Sequence, residues 1–222
     1  YININININI NINMYNIYVF WTDDNEITKN RLNSIEQLKT ITECNIIFID
    51  KNNLKNYILH DYPLHNGYEY LSAVHKADYL RTYFMNFYGG GYSDIKKTTG
   101  SWKKSFEDLY NSDNLIIGYK EIPGGGVNRI HHTLLIGNCA YICKKNTEFT
   151  NEWYNNMITL LDEKLEMLKK NPAKHPRDSF DKNSKYPIEW AEMLGCIFHP
   201  LILKYKNKVL NTLPLSIFNN YE

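Results

Sequence analysis

Asp78, Arg81, Asp94 and Lys96 fall within one short stretch, YLSAVHKADYLRTYFMNFYGGGYSDIK at residues 70–96. A carboxylate, a guanidinium and a second carboxylate gathered at one corner make a set suited to a nucleoside-diphosphate sugar. Carboxylates accept hydrogen bonds from sugar hydroxyls, and cationic groups meet the charge of a diphosphate. The spacing alone also fits something simpler. Two opposite charges three residues apart on a helix form a surface ion pair worth only ~0.2–0.5 kcal/mol.

The stretch predicts the elements that would hold these groups. Ala73, Ala77, Leu80, Phe84 and Phe87 recur at alternating spacings of four and three, which is one buried face of a helix. Asp78 and Arg81 each follow a core position by one residue, so both sit at the edge of the buried stripe. Gly89 to Gly91 stop the helix, and Tyr92 to Ile95 reads as a short strand that carries Asp94. Upstream, NIYVFW (16–21) is a strand closed by the turn residues Thr22 to Asn25. A helix follows over 28–40, then the all-apolar IIFI (46–49), closed by Asp50. This β-α-β order implies a right-handed crossover and a parallel sheet with its ligand site beyond the carboxyl ends of the strands, where Trp21, Asp50 and Asp94 would cluster. Further helices are expected over 98–111, 148–170 and 188–198, and strands over 115–119 and 133–143.

The string ADYLRTYFMNFYGGGYSDIK resembles the sugar-binding region of DxD-containing glycosyltransferases. That group includes the mannosyltransferase-like and capsular-polysaccharide-synthesis families and, more distantly, the glucosylating toxins. Ala77-Asp78, Arg81, Tyr88-Gly89-Gly90, Tyr92 and Asp94 fall in register with its pattern, and the second aspartate of the DxD is Lys96. The resemblance implies an α/β fold: a single Rossmann-like, GT-A type nucleotide-sugar-binding domain over residues 14–222, with a mainly parallel central sheet flanked by helices. It implies transfer of a hexose-type sugar from a UDP- or GDP-sugar to a glycan or other hydroxyl acceptor, with retention at the anomeric carbon. Trp21 and Thr22 inherit the base-holding end of the first strand, although a core tryptophan there reads equally well. Asp78, Arg81, Asp94 and Lys96 are the remaining donor-binding candidates, with Asp94 and Arg81 also candidates for catalysis. Glu192, beside Trp190 and Glu189, is the candidate base or acceptor contact, and a solvent-facing carboxylate is its plain alternative.

In the resembled enzymes, both carboxylates of the DxD hold Mn²⁺ or Mg²⁺ on the donor phosphates. Lys96 leaves three arrangements open here. Asp94 holds a metal together with the phosphates themselves; or the Lys96 ammonium takes over part of the metal's charge; or the strand turns Lys96 outward and a distant carboxylate substitutes. The lost aspartate also motivates the alternative of a catalytically inactive domain that binds a nucleotide sugar or glycan.

Composition narrows the classes further. The 222 residues are 43% hydrophobic and 22% charged, as in an ordinary globular chain, and a net charge of +1 gives no reason to expect nucleic acid. No apolar run approaches the ~20 residues of a membrane span. Cys44, Cys139, Cys143 and Cys196 form no C-x-x-C pair and read as reduced thiols, which with no visible signal peptide points to a cytoplasmic or cytoplasm-facing location. Residues 1–13 alternate Ile and Asn and read as an edge strand or a low-complexity tail. EIPGGGVN (121–128) is a flap or a surface loop, and His131 and His132 lack metal-ligand spacing.

Overall fold

The computed structural model describes residues 15–123, 133–181 and 183–220. The Ile/Asn repeat, most of the EIPGGGVN segment and the His131-His132 pair lie outside them. Strand β1 (Asn16–Trp21) leads through helix α1 (Lys29–Ile41), capped by the Thr28 hydroxyl, into β2 (Asn45–Asp50). Helix α2 (Ala73–Phe87), capped by Ser72, then feeds β3 (Gly90–Ser93). Gly89 and Gly90 have φ of 66° and 82°, a conformation that glycine adopts without a Cβ penalty, and they turn the chain straight from helix to strand. The strand therefore begins two residues earlier than the expected Tyr92.

Helix α3 (Lys103–Tyr110), β4 (Ile116–Lys120), β5 (Ile136–Cys143), the long α4 (Glu148–Lys170), α5 (Gly195–Lys204) and the two-residue β6 (Val209–Leu210) complete the order. The sheet runs β2-β1-β3-β5-β4-β6. Among the described residues its strands point one way except β5, which is antiparallel to β3 and β4. The fold is thus α/β with a mainly parallel sheet.

Helices cover both faces. Ile17 and Val19 of β1 face α1 and α3, which bury Ile35, Leu38, Trp102 and Phe106. The alternate residues Tyr18 and Phe20 face α2, α4 and α5, where Leu80, Phe84, Trp153 and Phe198 complete the larger core. The segment expected to be helical over 188–198 is different. Residues 188–194 form turns, and the helix starts at Gly195 and carries Pro200 inside it. Burial of Phe198, Leu201 and Ile202 sustains the helix across the hydrogen bond that Pro200 cannot donate. No helix of the described residues is long and apolar enough to cross a membrane.

Two features of the topology define where a ligand would sit. From β1 the chain crosses to β2 on one side and then returns to β3 on the other. The carboxyl ends of β1 and β3 therefore flank a switch point, the crevice where open α/β sheets place their ligands. In addition, β5 bulges. Gly118 pairs with Tyr141 and Lys120 with Ile136, so two steps along β4 match five along β5. The extra residues of β5 stay at the same edge: Ala140 pairs with Ser93 of β3, and the Cys139 carbonyl accepts from the Asp94 N–H.

Candidate functional site

Asp94 follows β3 directly and lies on the same face as Tyr92, because side chains two apart on a strand point the same way. Arg81 reaches down from α2 onto that face, with its guanidinium 4.3 Å from the centre of the Tyr92 ring. Its Nη2 lies 3.2 Å from Asp94 Oδ1 and 3.3 Å from Asp78 Oδ1. Nη1 donates to the Asn138 carbonyl at 2.8 Å and Nε to the Ala77 carbonyl at 3.4 Å. The Arg81 side chain is only 7% exposed. Its donors are spent on holding two carboxylates and the β5 bulge.

Asp94 is the best satisfied group of the cluster. Oδ1 also accepts from the Tyr92 hydroxyl at 2.6 Å, and Oδ2 accepts from Lys96 Nζ at 2.6 Å. The backbone N–H of Asp94 donates to the Cys139 carbonyl at 2.7 Å, so the bulge fixes the main chain as well. Burial works against the ionised carboxylate. Lys96, Arg81 and the Tyr92 hydroxyl outweigh it and hold Asp94 well below the ordinary carboxylate range. Lys96 does not point outward. It turns back onto Asp94, with the Cys139 sulfur 3.3 Å away and the Phe218 ring centre at 5.4 Å. Burial disfavours the ammonium, but Asp94 prevails and raises its pKa.

Asp78 shares Arg81 but has neither Lys96 nor Tyr92. Burial pushes its pKa up to about 7; Arg81 opposes this only in part, and Asp94 adds to it. The folded state therefore holds a proton on Asp78 that the unfolded chain releases near pH 4. Stability contributed at this site is complete below about pH 4 and falls as pH rises towards 7. The buried His75 and His199, both pushed down to about 4 by burial, act in the opposite sense over a similar window. The measurable quantity is thus the difference between wild type and Asp78→Asn in urea denaturation. Wild type should lose stability relative to the variant between pH 4 and 7, and a constant difference would show that Asp78 is ionised throughout.

Trp21 ends β1 beside Asp50, with which it pairs in register. Its indole N–H donates to the Asn25 carbonyl at 2.8 Å, and the Arg31 guanidinium lies 5.9 Å from its ring centre. Arg31 Nη1 also donates to the Ile95 carbonyl at 3.0 Å, which ties the Trp21 end of β1 to the Asp94–Lys96 corner. Thr22 is half-buried, and the adjacent Asp23 lies 3.7 Å from Lys76 of α2. Asp50 accepts from the backbone of Asn52 and Asn53 and closes its own loop.

Glu192 is not gathered with these groups. It lies in the turns before α5, 3.0 Å from Lys164, and accepts from the Glu189 N–H at 2.9 Å. Arg31 and Phe218 carried no signal in the sequence, and Cys139 reads there only as a reduced thiol. Tyr92 was visible in it only as part of the motif, although its two-residue offset from Asp94 would have placed both on one face.

The donor set does not fit a divalent cation. Such an ion needs several oxygen ligands, and Asp94 already has Lys96 on one oxygen and Tyr92 and Arg81 on the other. Among the described residues no three His, Cys, Asp or Glu side chains are grouped to hold one.

No curated protein matches the chain. A solved structure titled "PaToxG Glycosyltransferase" is similar at 15% identity, over 75% of this chain and 70% of that one, with a TM-score of 0.43. A family model described as "Capsular polysaccharide synthesis protein" matches residues 3–119, more than half of the 222 residues. By that match the chain belongs to the capsular polysaccharide synthesis family.

Proposed function

We infer that the chain is a glycosyltransferase that takes a sugar from a nucleoside-diphosphate donor and passes it to a hydroxyl of a glycan. One observation carries the reading: Asp78, Arg81, Asp94 and Lys96 converge at the carboxyl edge of β1 and β3. Family membership supports it.

Glycosyl transfer breaks the bond between the anomeric carbon and the diphosphate, and negative charge gathers on the leaving group. Catalysis needs a fixed cation at the diphosphate and a positioned sugar. Asp94, whose side chain is 21% exposed, is the carboxylate that reaches ligand and accepts from sugar or ribose hydroxyls. Lys96, beside it, faces the diphosphate. Arg81 is a positioning residue, since its guanidinium is taken up beneath the two carboxylates. Trp21 and Thr22, at the end of β1, lie on the nucleoside side of the same crevice. Glu192 lies with Lys164 and has no assigned part in transfer.

A thermal-shift series over UDP- and GDP-sugars tests the reading. A donor present at a hundred times its Kd stabilises the native state by about 2.7 kcal/mol and should raise the Tm by several degrees. Asp94→Asn should abolish the rise. If no nucleotide sugar moves the transition of wild type, the donor site is wrong. Slow release of free sugar from the donor that binds would separate a turning-over enzyme from a domain that only binds.

A further inference from the structure

We propose that the Lys96 ammonium occupies the place of the divalent cation, so that this chain binds a nucleoside diphosphate without metal. The proposal rests on the donor-binding reading above and concerns how the diphosphate charge is met.

Three observations point to it. First, Lys96 Nζ sits 2.6 Å from Asp94 Oδ2, while the Tyr92 hydroxyl and Arg81 take Oδ1, so both oxygens of the carboxylate are engaged. A dication placed there must expel the ammonium or stand beside it, with Arg81 close by on the other oxygen. Second, the lysine is held and not swinging in solvent. Its side chain is 8% exposed and lies near the Phe218 ring, and the segment carrying Phe218 is pinned by the Ile217 N–H donating to the Lys97 carbonyl at 2.8 Å. Third, one of its neighbours is suited to exchange. The Cys139 sulfur, 3.3 Å away, is a neutral thiol, its pKa pushed up to about 11 by burial, with Asp94 adding to the rise. A thiol is a weak acceptor, and a phosphate oxygen is a far better one for a charged donor. Binding would replace sulfur by phosphate at Lys96 while Asp94 keeps the ammonium aimed.

The experiment is calorimetric and does not depend on turnover. Mn²⁺ is titrated alone into wild type and into Lys96→Asp, which rebuilds the acidic pair. Wild type should show no saturable binding, and Lys96→Asp should bind at least ten-fold more tightly. UDP and GDP are then titrated in EDTA and in Mn²⁺. Wild-type affinity should agree within about two-fold between the two conditions. Lys96→Met should be at least ten-fold weaker in both, and Lys96→Asp weak in EDTA and restored by Mn²⁺. Circular dichroism on each variant checks folding; if Lys96→Asp does not fold, wild type and Lys96→Met decide. Wild-type nucleotide binding that is lost in EDTA and restored by Mn²⁺ would overturn the proposal, as would Mn²⁺ binding equally to wild type and Lys96→Asp. If neither nucleotide binds wild type, the donor reading fails, and Mn²⁺ binding to wild type alone still decides the cation question.

Discussion

Arg81→Met should destabilise the protein by about 3–5 kcal/mol, the usual cost of breaking a buried ion pair from one side. For a chain of this size that lowers the Tm by about 6–20 °C. The cost has identifiable sources. The Asn138 carbonyl loses its side-chain donor, the Ala77 carbonyl loses a long second one while keeping its place in the helix, and the Tyr92 ring loses the cation over its face. Asp94 keeps Lys96 and Tyr92, but Asp78 is left buried with no cation against its carboxylate. The deficit should therefore grow with pH. Without Arg81 the folded-state pKa of Asp78 rises further, so stability keeps falling as pH increases beyond 7. Arg81→Met/Asp78→Asn should remove that slope and regain part of the stability. Donor binding should be lost in both, because the guanidinium that ties Asp94 to the Asn138 carbonyl of the β5 bulge is gone. Urea denaturation between pH 5 and 8.5 checks this. A single variant within 1 kcal/mol of wild type, or a double variant with the same pH slope as the single, would show that Arg81 does not organise the cluster.

The contrast between Arg81 and its simplest reading shows how much of this site can be read from sequence. Asp78, Arg81 and Asp94 were recognisable because a helix period, a glycine stop and a strand period fix their mutual placement within one continuous segment. Sequence pattern also located β1, α1 and α4, and an all-apolar run located β2, to within a residue or two. Burial was not legible. Nothing in a three-residue spacing tells an exposed ion pair from a 7%-exposed guanidinium serving two carboxylates, since that depends on β5 arriving from more than forty residues away. The direction of Lys96 was likewise hidden, because Cys139 and Phe218, which flank it, come from a bulge and from the end of the chain. The helical reading of 188–198 failed for a related reason. Its apolar residues satisfy a helix period, but tertiary burial of Phe198 to Ile202 moved the helix past Pro200 and left Glu189 and Glu192 in turns.

The bulge itself gives the second large effect. Gly137→Ala should cost about 3 kcal/mol and weaken donor binding, although Gly137 touches none of the charged groups. A Cβ at Gly137 would meet Cζ of Tyr119 at 1.9 Å and its Cε2 and hydroxyl at 2.1 Å. These atoms belong to a rigid ring that can move only as a whole, and the ring is buried, with Phe218 packed edge-on at 6.2 Å. The Tyr119 hydroxyl accepts from the Cys139 N–H at 3.4 Å, one residue from the carbonyl that holds Arg81 and on the residue whose carbonyl holds Asp94. Pushing the ring aside therefore moves the bulge and Phe218 together, and with them both supports of the Asp94–Lys96 pair. A double-mutant cycle isolates this cause. Tyr119→Val removes the obstructing atoms at its own cost in lost burial, and adding Gly137→Ala to it should then cost less than about 0.5 kcal/mol, a coupling of more than 2 kcal/mol between the two positions. Additive costs would mean that the alanine is accommodated elsewhere, and that the glycine is not what lets β5 fold over Tyr119 to reach the site.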